Sequence, residues 1–237
     1  RYVDWNIYGR LERLFVKLFV EEEDLQVNIL IDHSQSMGFG EPTKLEYAIK
    51  TAAALGYVAL AGFDRLSVWS FAEQLNSVMR PLRGRGFVFT LFDGLSKLEA
   101  NGKTNFTDAI RQFVNIVRRP GMVIIISDFL FRDGIEAGLK ALIGRKFEVG
   151  LVQVLDRTEV HPDLVGDLKL LDSETRDGKE VTITTAALRA YRRALEHHTS
   201  AIRNFCMRHD ISYLQVTTNV PFEDFILRRL RQIGLVA

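Results

Sequence analysis

The chain has 237 residues, of which 47% are hydrophobic and 26% charged, enough for a large domain with a full hydrophobic core. Lys and Arg number 31 against 30 Asp and Glu, so no basic excess points to nucleic acid, and we expect no nucleic-acid partner. The single cysteine, Cys206, excludes a disulfide framework within the chain and fits a reducing compartment.

The longest apolar stretch runs from about Ala52 to Phe63. It is too short to span a bilayer, which takes about 20 residues, so we expect no membrane segment in this chain and a cytoplasmic location. The chain starts at Arg1 rather than at methionine, and we expect it to be part of a longer protein. A membrane segment upstream of this chain is an open alternative.

Predicted strands and helices alternate along the chain. Apolar runs predict strands at residues 14–20, 25–31, 65–71, 75–79, 122–127, 147–155 and 211–216. Apolar spacings of three and four predict helices at residues 43–62, in the second half of 84–98, at 106–117, 133–144 and 188–205, and from 221 onwards. This alternation predicts an α/β fold with a mostly parallel sheet flanked by helices. We predict a lead-in strand segment at residues 1–24 and one main domain at 25–237.

Three local signals mark boundaries. Thr43-Lys44-Leu45-Glu46 has the pattern of a capping box at the start of a helix. Asp133 can cap a later helix that ends near Gly144. Asp177-Gly178 is a favourable turn pair, and it predicts an inserted β-hairpin near residues 166–184.

Oxygen-bearing side chains follow two of the predicted strands. The run Val27 to Ile31 ends in Asp32-His33-Ser34-Gln35-Ser36, which brings one carboxylate and two hydroxyls together, and Asp128 follows the strand at 122–127. Gly102-Lys103-Thr104-Asn105 can place another hydroxyl at the same edge, where open α/β sheets bind ligands. Such oxygens suit Mg²⁺ or Mn²⁺. We therefore predict a metal site formed by Asp32, Ser34, Ser36, Thr104 and Asp128.

This arrangement resembles the metal-ion-dependent adhesion site of von Willebrand factor A domains, and the order of elements from Leu25 onwards is similar to that Rossmann-like fold. A second resemblance covers nearly the whole chain. The segments Arg1-Tyr2-Val3-Asp4-Trp5, Val16-Lys17-Leu18-Phe19 and Leu171-Asp172-Ser173-Glu174-Thr175 look like the bacterial family called domain of unknown function 58. Its members often accompany MoxR-type AAA+ ATPases.

The resemblance implies a role for each residue of the site. Ser34, Ser36 and Thr104 would be direct or near-direct ligands, and the two aspartates would bind directly or through water. A Glu or Asp of a partner protein would complete the coordination. Four neighbours are predicted to form the rim that meets the partner: His33, Gln35, Asn105 and Phe129. The implied function is Mg²⁺-dependent protein binding without catalysis, as an adaptor or client-selecting domain of a MoxR-type ATPase system.

Other interpretations remain beside this one. An Asp after a buried strand can be the nucleophile of a metal-assisted phosphoester hydrolase. Such enzymes usually have a second Asp two residues later, and here that position is Ser34. The sequence also places no clear Lys or Asp base. Asp-x-Ser-x-Ser can also form only a local turn around an empty edge. His197-His198 and the pair Cys206 and His209 could suggest zinc, but they lack a second ligand pair. His33 next to Ser34 could suggest a serine hydrolase, but the Gly-x-Ser-x-Gly elbow around the nucleophile is not present in the sequence.

Overall fold

The structure is a computed structural model that describes residues 2–3, 16–17, 25–131, 134–162, 166–171 and 178–225. For residues 2–3, 16–17, 166–171 and 178–183 it describes the backbone alone. Within these ranges, no helix combines the length and the apolar character that crossing a membrane requires.

The central element of the fold is a six-stranded sheet. The strands of the described residues are, in chain order, β1 (Tyr2–Val3), β2 (Val16–Lys17), β3 (Gln26–Asp32), β4 (Arg65–Phe71), β5 (Leu75–Arg83), β6 (Met122–Ser127), β7 (Glu148–Leu155), β8 (Gly166–Leu171), β9 (Gly178–Ile183) and β10 (Ser212–Thr217). The sheet has the order β10-β7-β6-β3-β4-β5, and β5 alone among these six runs antiparallel to its neighbour. The prediction of a mostly parallel sheet is confirmed.

The strand order places the site region at a reversal of the chain's path. From β3 the chain moves to β4 and β5 on one side, and then returns to β6 on the other side of β3. In open α/β sheets, ligands bind outside the carboxyl ends of the strands at such a switch point. Here the two strands end at Asp32 and Ser127, so Asp32 and Asp128 lie at that point.

Helices cover both faces of the sheet. They are α1 (Lys44–Ala61), α2 (Val88–Ser96), α3 (Phe106–Ile116), α4 (Glu136–Gly144), α5 (Arg157–Val160), α6 (Thr185–Arg208) and α7 (Phe222–Phe225). Because side chains alternate along a strand, Ile29 and Ile31 join one core with α1, α2 and α7, whereas Leu30 joins the other with α3, α4 and α6. The predicted helices at these positions are confirmed.

The start of α1 follows its sequence signal closely. The Thr43 hydroxyl accepts from the amide of Glu46 at 3.1 Å, and the Glu46 carboxylate accepts from the amide of Thr43 at 3.1 Å. This is the predicted capping box. A Cβ on Gly56 would lie 2.7 Å from Leu91 Cδ2, so the glycine lets α1 approach α2 closely.

Two boundaries differ from the predictions, and two predicted elements are described only in part. β5 runs to Arg83 rather than ending at residue 79, because its last residues still pair with β4. α4 begins at Glu136 with Ile135 at the N-cap and no side-chain cap, and the predicted cap Asp133 lies outside the described residues. The last predicted helix is described only as far as Phe225, and the predicted strand at 14–20 only at its residues 16–17.

The inserted hairpin is present, with β8 antiparallel to β9. However, Gly178 pairs with Leu171, so the connection spans residues 172–177. Gly178, which was predicted to lie in the turn, belongs to the strand ladder instead, and Asp177 lies outside the described residues.

Helix α6 buries its predicted apolar face in its second half. Ile202 and Phe205 are buried against the sheet, whereas Tyr191 is 41% exposed. The predicted helix is therefore confirmed, and within the described residues the second half of its apolar face is the part that is buried against the sheet.

Candidate metal site

The loop after β3 carries the first three predicted ligands. Asp32 is the last residue of β3 and is fully buried, as is Ser34. A 3₁₀ turn at Gln35–Gly38 follows directly and turns the chain back, which leaves Ser36 half-buried at its second position. On the neighbouring strand, Asp128 follows the end of β6 and is also buried.

Asp32 is held by neutral donors. Its Oδ1 accepts from the amide of Ser34 at 2.9 Å, and its Oδ2 accepts from the hydroxyl of Ser127 at 2.7 Å. Burial, followed by the nearby charge of Asp128, raises the pKa of Asp32 to about 7 against the lowering effect of these hydrogen bonds. A buried carboxyl of this kind is stabilised in its charged form by a nearby cation.

A chain of hydroxyls connects the two strands. The Ser36 hydroxyl donates to Asp128 Oδ2 at 3.1 Å, and the Ser34 and Ser36 hydroxyl oxygens are 3.2 Å apart. The structure therefore brings Asp32, Ser34, Ser36 and Asp128 into one continuous network.

Thr104 lies in a loop that is tied to the serine loop by its backbone. The amide of Gln35 donates to the Gly102 carbonyl at 2.9 Å, and the amide of Asn101 donates to the His33 carbonyl at 2.8 Å. These bonds bring the loop before α3, with Thr104 half-buried in it, alongside residues 33–36.

Lys44 is a member of this network that the sequence did not predict. It is the first residue of α1, its side chain is 1% exposed, and its Nζ lies 2.7 Å from Asp128 Oδ2 and 2.6 Å from Glu159 Oε1. Burial acts to lower the pKa of Lys44, but the charges of Asp128 and Glu159 outweigh it and the net shift is upward. The group is therefore an ammonium at neutral pH.

Glu159 reaches Lys44 from the short helix α5. Asp156 begins this helix with a capping box, in which its amide donates to Glu159 Oε2 at 2.8 Å. The sequence Asp156-Arg157-Thr158-Glu159 has the pattern of a capping box. This pattern is the signal from which the position of Glu159 after β7 could have been predicted.

The donor types in this region fit a hard divalent cation. Carboxylate and hydroxyl oxygens are the ligands that Mg²⁺ and Mn²⁺ accept in proteins. Asp128 and Glu159 share the Lys44 ammonium, whereas the described contacts of Asp32 are with neutral donors. When all three carboxylates are ionised, negative charge exceeds positive charge by two among these four groups. In the described part of the chain no three side chains of His, Cys, Asp or Glu converge to hold a metal ion, so hydroxyls would have to supply part of the ligand set here.

The four predicted rim residues differ in their exposure. Gln35 and Asn105 are exposed, and His33 is half-buried with its Nδ1 donating to the Glu99 carbonyl at 3.2 Å. Phe129 is fully buried and packs edge-on against Phe106 with ring centroids 6.2 Å apart, so its prediction as a rim residue is wrong. Its backbone has a φ of 54°, which turns the chain after Asp128 and directs the ring into the core.

Side chains from three other elements fix the backbone of residues 128 and 129. Gln153 of β7 donates to the Asp128 carbonyl at 2.7 Å, and Tyr213 of β10 donates to Gln153 at 2.5 Å. His198 of α6 donates from Nε2 to the Phe129 carbonyl at 2.7 Å. His198 is one of the histidines that had suggested zinc, and here it forms a hydrogen bond to the backbone.

Solved structures with this fold support the architecture. BatB from Bacteroides thetaiotaomicron superposes with a TM-score of 0.54 and 16% identity, covering 88% of this chain and 98% of that one. The SpRpn10 VWA domain superposes with a TM-score of 0.51 and 12% identity, covering 90% and 98%. At these identities the likeness concerns the fold, and it confirms the von Willebrand factor A-like fold.

The chain also has relatives by sequence. The protein Rv1480 of Mycobacterium tuberculosis is 29% identical over 204 residues, which are 84% of this chain and 64% of the relative. The chain thus spans about two thirds of the length of the curated relatives that it matches. The model of the family described as protein of unknown function DUF58 matches residues 1–201, and the chain belongs to this family, with the von Willebrand factor A-like fold.

Proposed function

We propose that this domain binds a divalent cation, Mg²⁺ or Mn²⁺, at the carboxyl ends of β3 and β6 and uses it to bind another protein. The observation that carries the proposal is the network of hydrogen bonds at the switch point of the sheet, which connects Asp32 to Asp128 through the amide and hydroxyl of Ser34 and the hydroxyl of Ser36. The raised pKa of Asp32 supports it, because a cation would offset the cost of burying that charge.

The residues of the chain would divide the work. Asp32 and Asp128 would supply negative charge, directly or through water, while Ser34, Ser36 and Thr104 would supply neutral oxygens. When bound, the cation supplies a positive charge and an open position for a carboxylate of the partner. His33, Gln35 and Asn105 would contact the partner around that position, since they lie at the surface of the adjoining loops.

The proposed partner is a MoxR-type AAA+ ATPase or one of its client proteins, as the family resemblance implies. In that role the domain would act as an adaptor, with recognition confined to a Glu or Asp side chain and the surface around it. The von Willebrand factor A-like fold is compatible with an interaction module of this kind.

Hydrolysis of phosphoesters is the weaker candidate. A nucleophile must reach its substrate, whereas Asp32 is fully buried and both of its oxygens accept hydrogen bonds. The sequence placed no base for such an enzyme, and the buried Lys44 of the structure is paired as an ammonium with Asp128 and Glu159. We therefore propose binding rather than catalysis.

The test is a direct binding measurement between the purified domain and a MoxR-type ATPase of the same organism, by biolayer interferometry in Mg²⁺ and in EDTA. Ser36→Ala and Thr104→Ala remove proposed ligands without changing charge. Ser96→Ala is the matched control, because its hydroxyl is exposed and bonds only locally, to the Asp93 carbonyl. We expect binding in Mg²⁺ by wild type and Ser96→Ala, and at least about tenfold weaker binding by the two ligand variants or in EDTA.

Equal binding of all four proteins in Mg²⁺ and in EDTA would contradict the proposal. A panel of phosphoesters tested with wild type and Asp32→Asn would then address hydrolysis. Turnover that requires Mg²⁺ and is lost in Asp32→Asn would favour the enzymatic alternative.

A further inference from the structure

The ammonium of Lys44 and a metal ion would compete for one carboxylate. Asp128 Oδ2 already accepts from Lys44 Nζ at 2.7 Å and from Ser36 at 3.1 Å. The other oxygen, Oδ1, accepts from the amide of Leu130 at 3.1 Å. Three hydrogen bonds to this carboxylate are therefore in place before a cation arrives, and one of them comes from another positive charge.

A cation at Asp128 would lie within a few ångströms of the Lys44 ammonium if the lysine stayed in place. Two positive charges at such a distance repel strongly in a buried setting. Lys44 has a second partner, Glu159, whose carboxylate is 2.6 Å from the same nitrogen and is 16% exposed. Glu159 can therefore keep the ammonium paired if Asp128 releases it.

We propose that Lys44 is a built-in competitor of the divalent cation: it neutralises Asp128 in the metal-free domain, and a cation binds only as Asp128 exchanges Lys44 for it. This inference rests on the proposed cation site and adds to it a residue that sets its affinity. Lys44 lowers the affinity for Mg²⁺ and keeps the metal-free site folded, with Glu159 holding the displaced ammonium.

The alternative role for Lys44 is purely supportive. In that case its hydrogen bond would orient Asp128 for the cation, and removing it would weaken cation binding. The two roles predict opposite signs, which makes substitution of Lys44 decisive.

The experiment is isothermal titration calorimetry of Mg²⁺ into the purified chain, with melting temperatures in EDTA and in Mg²⁺ measured beside it. The variants are Lys44→Met, which removes the charge at similar length, and Lys44→Gln, which also keeps a donor if the methionine variant does not fold. Lys50→Met is the matched control, since Lys50 is exposed on the same helix and its loss changes the net charge equally. In addition, the side-chain ¹⁵Nζ resonances of Lys44 and Lys50 are followed in the wild type during the titration.

We expect Lys44→Met and Lys44→Gln to bind Mg²⁺ at least about tenfold more tightly than wild type, and Lys50→Met to bind within about twofold of it. We also expect the two Lys44 variants to melt lower in EDTA and to gain more from Mg²⁺. In the wild type, the Lys44 resonance should shift with Mg²⁺ while that of Lys50 stays. Mg²⁺ binding that is measurable for the Lys44 variants and not for wild type would support the proposal as well.

Two other outcomes are distinguishable. Mg²⁺ binding to wild type with equal or weaker binding to the Lys44 variants, or an unmoved Lys44 resonance at saturating Mg²⁺, would overturn the competitor role and leave the cation site standing. Absence of Mg²⁺ binding and of any melting shift in every protein would overturn both the site and the competitor role.

Discussion

Asp32 and Asp128 occupy equivalent positions at the ends of two neighbouring strands, yet their charges are balanced in different ways. Asp128 has a cation of the protein itself, because Lys44 lies 2.7 Å from its Oδ2. Within the described part of the chain, the donors to Asp32 are neutral, namely the amide of Ser34 and the hydroxyl of Ser127. Both side chains are buried to a similar degree.

This difference shows what a buried carboxylate needs. An ammonium at contact distance can offset desolvation, whereas two neutral hydrogen bonds leave the pKa of Asp32 raised to about 7 by burial and by the charge of Asp128. An external cation would therefore offset the uncompensated charge of Asp32. To bind the same cation, Asp128 would have to release the ammonium of Lys44.

The largest effect is expected from Asp128→Ala, which removes the compensated member of the pair. Lys44 would remain buried with Glu159 as its partner, and breaking a buried ion pair typically costs about 3–5 kcal/mol of the free energy of unfolding. Urea denaturation in EDTA measures this cost. The control is Asp93→Ala, which breaks an exposed pair with Lys97 and should cost less than about 1 kcal/mol. Equal losses in the two variants would show that the buried pair of Lys44 and Asp128 stabilises the fold no more than an exposed pair does.

The second effect has the opposite sign and depends on pH. A pKa raised from 3.8 to about 7 means that the folded protein holds the Asp32 proton more tightly than the unfolded chain does. The resulting stabilisation is complete below the ordinary pKa and is lost as the pH rises towards 7. In EDTA, the stability of Asp32→Asn relative to wild type should therefore rise by about 2–3 kcal/mol between pH 5 and pH 8.

Urea denaturation of Asp32→Asn and wild type at pH 5, 6, 7 and 8 measures this difference. Comparing the two proteins at each pH cancels the titration of the other groups. A difference that stays constant across the range would contradict the raised pKa of Asp32.

The third prediction removes one of the neutral donors of Asp32. Ser127→Ala takes away the hydroxyl that donates to Asp32 and also accepts from the amide of Phe129 at 3.0 Å. We expect a loss of about 1–2 kcal/mol at pH 8 in EDTA, because a buried hydrogen bond to a charged group is lost. Thermal melting with Ser96→Ala as the exposed-serine control checks it. A loss no larger than that of the control would mean that the hydroxyl does not stabilise the charge.

The smallest effect is expected from Glu159→Gln. Glu159 is the more exposed partner of Lys44, at 16% against 2% for Asp128, and glutamine can still accept from the amide of Asp156. We expect a loss of about 1 kcal/mol in EDTA, measured by urea denaturation. A loss as large as that of Asp128→Ala would reverse the ranking of the two partners.

Much of this architecture is predictable because the signals are local and periodic. Apolar runs gave the strands of the sheet, and the Thr43 capping box placed the start of α1. The alternation of strands and helices then predicted which strand ends face the same edge. For this reason Asp32, Ser34, Ser36 and Asp128 could be grouped before their contacts were known.

Other features depend on contacts between distant parts of the chain. Lysine is rarely buried, and nothing in the local pattern around Lys44 indicates that its side chain turns towards Asp128, 84 residues away. Phe129 looked like a rim residue because it adjoins Asp128, but its positive φ and the aromatic core direct its ring inwards. Gly178 looked like a turn residue, but the register of the two strands pairs it with Leu171.

The central claim is that a divalent cation binds between Asp32 and Asp128. The most direct test is a crystal structure of the chain grown with Mn²⁺, with anomalous diffraction data collected at the manganese edge. We expect an anomalous peak within coordination distance, about 2.0–2.4 Å, of oxygens from the set Asp32, Ser34, Ser36, Thr104 and Asp128, and a Lys44 side chain that has moved away from Asp128. Crystals in saturating Mn²⁺ with no peak at this edge, and with Lys44 still bound to Asp128, would contradict it.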